Sequence, residues 1–371
     1  INAEYGDLQC MIHFVFSSSA CNLSCEYCGG TPEDLEMPEK PQYDPKKLVA
    51  QIDKDEDPVI VFYGGEPLLS IPFVQQVMDL IPRATFVLQS NCTLLHLLPT
   101  TYLTRFSAIL ASIDGRPETV ARYRGPSIYN KIIKNLKDAR ARGFQGHIIA
   151  RMACSMGTDI FEDVTHLMSH ELQFDSVYWQ LDAQWDYPMN IRWGDFEKYL
   201  DESYKPGVAK LFDLFKAGCR GGKFLQISPF AQICESMLDD VASGLRCSAG
   251  TKAVSITTDG RYLCCPVASG EAWNNIGTLE DTPRDCMNKV VIGGVCDSCD
   301  DKKWCGGRCL YANHTMHWKE EGFKIVCSTV KQIIALCQEF LPELRQLIAD
   351  GKCDMANFRF PNERYSIETI P

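Results

Sequence analysis

From Met11 to about residue 220, short apolar runs alternate with stretches of helical period. Runs at 11–16 (MIHFVF), 58–63 (PVIVFY), 85–89 (TFVLQ), 107–113 (SAILASI), 147–153 (HIIARMA) and 176–181 (SVYWQL) have the length and apolar content of strands. Between them, residues 45–52, 71–81 and 129–143 carry helical patterns, with Pro72 in a first turn and Gly143 as a stop. The segment DIFEDVTHLMSH separates the last two strands, and a long helical stretch is expected from about 195 to 217. Six strands joined by helical crossovers predict a parallel sheet with right-handed connections. The runs are nearly continuous in apolar residues, as in strands covered on both faces. An open doubly wound sheet and an incomplete barrel both satisfy this pattern, and periodicity does not choose between them.

From about 247 to 310 the helical period vanishes, and Cys, Gly and Asp dominate. KAVSITTDGRYLCC reads as a hairpin turning at Asp259-Gly260. From Cys327 to about 350 a helix returns, with Val330, Ile333, Ile334, Cys337, Leu341, Leu344 and Ile348 on one face. No repeat and no low-complexity linker interrupts the chain. No apolar run reaches the length of a membrane span, and no N-terminal signal pattern precedes the first strand, so a cytoplasmic chain with no membrane partner is expected.

Charge and cysteine usage sharpen this picture. The net charge is −11 and the pI about 5.2, a poor match for phosphate backbones and a better one for a basic peptide; no nucleic-acid partner is expected. Nineteen cysteines in 371 residues, without a secretory signal, do not describe a small disulfide scaffold. They crowd together after residue 247, which favours metal or iron–sulfur binding. Cys10, Cys92, Cys154, Cys219 and Cys353 stand apart and read as ordinary small residues. In the cysteine-rich region, bound metal would supply much of the folding free energy.

Two motifs carry the chemistry. SACNLSCEYCGG places Cys21, Cys25 and Cys28 as C-x3-C-x2-C after the first strand. Three thiolates can hold three irons of a [4Fe–4S] cluster and leave the fourth open, whereas a zinc site would need a distant fourth ligand. YGGEPLL, residues 63–69, follows the second strand. Gly64 and Gly65 let backbone approach a ligand, and Glu66 offers an acceptor for an ammonium group; a strand-end turn with a solvated Glu is the bland alternative. The triplet with Tyr27, followed by this segment, resembles the radical S-adenosylmethionine (AdoMet) superfamily. That resemblance implies a cluster on Cys21, Cys25 and Cys28 that cleaves AdoMet to a 5′-deoxyadenosyl radical. It implies a methionine-binding role for Gly64, Gly65 and Glu66. QSN at 89–91 and SIDG at 112–115 end the third and fourth strands, and RYRG follows at 122–125. By the same resemblance Ser90, Asn91, Ser112 and Arg151 are expected around the cofactor. Arg151 could equally be a strand-edge cation, and Asp114 a turn residue with Gly115.

A third constellation completes the resemblance. Cys247-x12-Gly260-x4-Cys265 precedes Cys296-x2-Cys299-x5-Cys305-x3-Cys309 and then Cys327. This spacing resembles the SPASM domain, a twin auxiliary-cluster extension of peptide-modifying radical enzymes; a zinc ribbon is the alternative. The resemblance implies that Cys296, Cys299, Cys305 and Cys327 ligate one [4Fe–4S] cluster. Cys247, Cys265 and Cys309 would hold part of another. Related sulfatase-maturing enzymes carry a cysteine six residues after the first of these ligands, where this chain has Ala253. Cys264 adjoins Cys265, and Cys234 and Cys286 are remote replacements. Otherwise one iron stays open to a substrate thiolate.

The expected architecture is therefore α/β: a partial (β/α)6 barrel over 11–230, a SPASM domain over 231–350 with its terminal helix, an N-terminal extension over 1–10 and a tail over 351–371. The expected activity is hydrogen abstraction from a peptide residue, forming a thioether or other cross-link. An anaerobic sulfatase-maturase-like oxidase and a non-catalytic electron-transfer or zinc protein are the alternatives. Expected cofactors are three [4Fe–4S] clusters and AdoMet. Expected partners are a peptide, an electron donor such as ferredoxin or flavodoxin, and a separate leader-binding protein, since only about ten residues precede the first strand.

Overall fold

The computed structural model describes residues 10–28, 36–182, 194–362 and 364–368. Its frame is a nine-stranded sheet in the order β6-β5-β4-β3-β2-β1-β7-β8-β9. Strands β1 (Ile12–Ser18), β2 (Val59–Gly64), β3 (Thr85–Ser90), β4 (Phe106–Ser112), β5 (His147–Cys154) and β6 (Ser176–Leu181) pair in parallel, each beside its neighbour in sequence. All six coincide with the apolar runs, and the sheet curls into a partial barrel. The sheet does not stop there. β7 (Ala253–Ile256) pairs in parallel with β1, and β8 (Arg261–Leu263) and β9 (Asn275–Thr278) follow antiparallel. The hairpin expected around Asp259-Gly260 is β7–β8, so the cysteine-rich region is grafted onto the barrel through the free edge of β1.

Both faces of the parallel strands are covered, which explains their continuous apolar character. On the outer face Val15, Ile60, Phe62, Leu88, Ile109, Ile148 and Trp179 share a core with the surrounding helices. On the inner face Ile12, Phe14, Val59, Val61, Val87, Leu110, Ile149 and Tyr178 form a second cluster, closed by Tyr365 and Ile367. The tail beyond residue 351 thus supplies part of the barrel interior, a role no local pattern announced.

Local signals set most helices. Asp44 accepts the N–H of Lys46 and Pro45 opens the helix Pro45–Ile52. Helices Ile71–Leu80 and Ile128–Ala141 follow the expected ranges. The stretch from 195 is broken into Phe196–Tyr199, a π turn over Leu200–Tyr204 and the helix Lys205–Gly221. Helices Pro117–Arg124 and Ser228–Asp239 were not anticipated. The last long helix runs from Lys319 to Ala349, starting eight residues ahead of Cys327. It also corrects the expectation that no stretch is long and apolar enough to span: one 18-residue stretch averages a hydropathy of 1.2, enough by length and composition to cross a membrane. Polar residues such as Lys331 and Gln332 interrupt it, so no continuous apolar run marks it in the sequence. Its apolar face (Val326, Val330, Ile333, Ile334, Cys337, Phe340 and Leu344) is buried, and the helix packs on Ser228–Asp239 and Lys205–Gly221.

Candidate active site

Cys21, Cys25 and Cys28 sit on the loop leaving β1, at the C-terminal mouth of the barrel, where α/β barrels place their ligands. Cys21 and Cys28 are exposed and Cys25 is half-buried. Burial pushes the Cys25 thiol up to about 11, opposed by the nearby Arg124 cation; Cys21 and Cys28 are close enough to raise it further. Three mutually interacting thiols on one open loop suit a cluster held by three cysteines.

The two glycines of YGGEPLL serve this loop. A Cβ on Gly64 would stand 1.9 Å from the Ser18 carbonyl oxygen, and one on Gly65 2.4 Å from that of Ala20. The Gly65 and Glu66 N–H groups donate to those same carbonyls at 3.0 and 2.9 Å. The close backbone approach read from this motif is therefore made to residues 18–20, immediately ahead of Cys21. Glu66 is not solvated. It is fully buried, and its carboxylate accepts from Leu68 N at 3.0 Å, Ser90 Oγ at 2.8 Å and Asn91 N at 2.9 Å. Burial is the largest influence on it and pushes its pKa up to about 7. Asn91, also buried, donates through Nδ2 to Asn22 Oδ1 at 2.9 Å, with Cys21 Sγ 3.8 Å away. Glu66, Ser90 and Asn91, all expected at the cofactor, form one connected unit that seats the cysteine loop.

Tyr27 has a partner that sequence reasoning underrated. Its hydroxyl donates to Asp114 Oδ2 at 2.6 Å. The same carboxylate takes both forks of Arg124, each at 2.7 Å, and the N–H of Ala153 at 2.9 Å. Asp114 is fully buried and the Arg124 side chain only 6% exposed, with its guanidinium over the Tyr27 ring. Asp114 and Arg124 are no mere turn residues: they tie the cysteine loop to β4, β5 and the helix Pro117–Arg124. Ser112, half-buried, is in register with Arg151 across β4–β5. Arg151 points inward rather than to an edge; its Nη2 lies 3.4 Å from Glu368.

The other cysteines gather in two places. Cys247, Cys265 and Cys309 border a cavity of about 160 Å³ together with Arg151, Gln180, Arg246, Arg308 and Glu368. Burial raises all three thiols; Cys309 adds to the effect on Cys247 and Cys265, and Glu368 to the effect on all three. Cys265 is positioned by the fully buried Asn274, which accepts its N–H at 2.8 Å and donates to its carbonyl at 2.8 Å. Cys296, Cys299, Cys305 and Cys327 form the second group: burial pushes Cys327 up to about 12, Arg308 opposes this, and the other three raise it. Arg246 and Arg308 each immediately precede a cysteine of the first group and interact with the second. Adjacency in sequence was the available signal for them. Among the described residues, no three His, Cys, Asp or Glu side chains converge on a point that one ion could occupy.

The three remote thiols lie elsewhere. Cys234 is buried against Cys337 between two helices. Cys264 borders the cavity, but its charged neighbours are Lys289 and Cys286. Cys286 in turn neighbours Lys289 and Asp281. None is among the strongest influences on Cys247, Cys265 or Cys309.

Comparison with known proteins bears on one domain and on the fold. Residues 15–165 match the Radical SAM superfamily. The chain therefore carries a radical SAM domain, which implies one [4Fe–4S] cluster and AdoMet. The structure of native anSMEcpe with bound AdoMet superposes with a TM-score of 0.70 at 16% identity, covering 91% of this chain and 99% of that one. Streptococcus suis SuiB bound to precursor peptide SuiA superposes with a TM-score of 0.54 at 13% identity, covering 81% of this chain and 71% of that one. These likenesses establish the shared fold. No curated protein matches the chain in sequence.

Proposed function

We propose that this protein is a radical AdoMet enzyme that modifies a peptide, forming a thioether or related cross-link. The observation that carries the reading is the cavity that Cys247, Cys265 and Cys309 line together with Arg151 of the barrel; Cys264 also borders it, while Cys234 is buried against Cys337. When bound, the cluster and AdoMet supply a primary carbon radical able to take a hydrogen atom. Cys21, Cys25 and Cys28 hold the radical-generating cluster, with Tyr27 fixing the loop. Gly64, Gly65, Glu66, Ser90, Asn91 and Ser112 shape the adjoining cofactor site. Cys296, Cys299, Cys305 and Cys327 hold one auxiliary cluster, and the Cys247 group holds another with an iron left for substrate sulfur. Solved relatives of the fold include complexes with the Cp18Cys and SuiA peptides, which favours a peptide substrate. A reduced ferredoxin or flavodoxin would supply the electron.

The test begins with anaerobic reconstitution, where three cubane clusters bring about twelve irons per chain. Replacing Cys21, Cys25 and Cys28 by Ala should abolish 5′-deoxyadenosine formation and remove about four irons only. Retained AdoMet cleavage in that variant refutes the assignment. Cysteine-bearing peptides are then turned over and weighed. Loss of two hydrogens with sulfur retained marks a cross-link. Loss of sulfur with a new carbonyl marks the second reading, a sulfatase-maturase-like oxidase, which the higher structural likeness to anSMEcpe favours.

A further inference from the structure

Residues 364–368 run up the inside of the barrel. Arg364 begins at the floor, where its Nη2 holds Asp57 Oδ1 at 2.9 Å and Thr85 Oγ1 at 2.6 Å, below β2 and β3. The Tyr365 hydroxyl meets His147 Nδ1 at 3.0 Å, at the first residue of β5. Ile367 is fully buried among the inner side chains. Glu368 emerges above them. Its carbonyl accepts from Gln180 Nε2 at 2.9 Å, and its carboxylate borders the cavity of Cys247, Cys265 and Cys309.

This placement needs an explanation. Among the described residues that line this cavity, Glu368 is the carboxylate, and it shares that lining with the three thiols. Arg246 and Arg308 also line the cavity, and the ion-pair partner of the carboxylate is Arg151. Its nitrogen is 3.4 Å from the Glu368 oxygen, beyond the usual 2.7–2.9 Å of a charge-assisted bond. Iron accepts carboxylate oxygen as well as thiolate sulfur, so the lining offers a bound cluster three sulfur donors and one oxygen donor.

We propose that Glu368 caps the iron left open by Cys247, Cys265 and Cys309, and yields that position to a substrate thiol. The inference rests on the reading of those cysteines as auxiliary-cluster ligands. The exchange changes no oxidation state. The carboxylate oxygen leaves with its electron pair and turns fully to Arg151, while the incoming thiol loses its proton to solvent and binds as thiolate. The segment holding Glu368 is anchored at Arg364, Tyr365 and Ile367, so the displaced carboxylate stays nearby. It shields the position from water and weaker ligands, and softer sulfur displaces it.

The test uses the full chain with Cys21, Cys25 and Cys28 replaced by Ala, so that auxiliary clusters alone contribute. Reduced samples are followed by electron paramagnetic resonance during titration with 2-mercaptoethanol. Glu368→Gln should change the spectrum before thiol is added and tighten thiol binding about tenfold, the factor expected if the native carboxylate leaves the position free a tenth of the time. Glu368→Cys should give a spectrum that no longer responds to thiol; it also serves if the Gln variant does not fold. Spectra and thiol affinities equal to those of the parent, at equal iron content, overturn the role of Glu368. Failure of the underlying reading looks different: removing Cys247, Cys265 and Cys309 would then leave the iron content unchanged.

Discussion

Replacing Asp114 by Ala strips a buried guanidinium of its partner. In the native chain the Asp114 carboxylate receives two Arg124 contacts at 2.7 Å, the Tyr27 hydroxyl at 2.6 Å and the Ala153 N–H at 2.9 Å. With both side chains nearly free of solvent, removing one leaves an uncompensated charge, at a cost of about 3–5 kcal/mol. Asp114→Ala should therefore lower the urea midpoint of the metal-free chain by that equivalent, read from tryptophan fluorescence under anaerobic conditions. Because Tyr27 loses its acceptor, the loop of Cys21, Cys25 and Cys28 should also hold iron poorly after reconstitution. The double variant Asp114→Ala/Arg124→Met separates the two effects. Removing the orphaned cation should restore a substantial part of the stability, whereas loop anchoring and iron retention should stay impaired. A single variant within about 1 kcal/mol of native, or a double variant as unstable as the two singles combined, would refute the reasoning.

Glu66 predicts a pH signature. Burial raises its pKa from the usual 4.5 to about 7 in the folded chain. Between those values the folded chain keeps a proton that the unfolded chain has lost, so stability present below pH 4.5 falls as pH rises to about 7 and is then flat. The displacement corresponds to roughly 3 kcal/mol. Glu66→Gln should flatten this component in urea midpoints at pH 5 and 8, and parallel curves for the two proteins would count against it. Asn274→Ala leaves the Cys265 N–H unpartnered, while its carbonyl keeps the Ala268 N–H, and should cost roughly 1–3 kcal/mol. It should also lower auxiliary iron while sparing AdoMet cleavage, and equal loss from both sites would show that it acts through the whole fold.

Much of the barrel was legible because its signals are local. Six strands announce themselves as apolar runs bounded by turn residues, and Asp44-Pro45 marks a helix start with neighbouring atoms. Among the cysteines, Cys247, Cys265 and Cys309 line one cavity, and Cys327 has Cys296, Cys299 and Cys305 as neighbours. Helix Ser228–Asp239 was missed because its apolar face reads only against its neighbours. The sequence marks Glu66 as an acceptor for an ammonium group but cannot show that Ser90 and two N–H groups enclose its carboxylate. Asp114 and Arg124 lie ten residues apart, but their pairing depends on how Pro117–Arg124 turns back over β4. The inward course of residues 364–368 was least accessible, since it has no period and its partners are scattered across the chain.

That inward course has a consequence for the order in which the molecule assembles. Arg364 meets Asp57 across 307 positions of sequence, so most of the chain must be made before this contact can form. Contacts of such separation close slowly, after the local helices and adjacent strand pairs have formed. Until then the nascent barrel exposes Phe14, Val61 and Ile149 along an unfilled interior. Molecules stalled before residue 364 would be the natural clients of chaperones. The same interval leaves the cavity of Cys247, Cys265 and Cys309 without Glu368 on its lining until this segment docks.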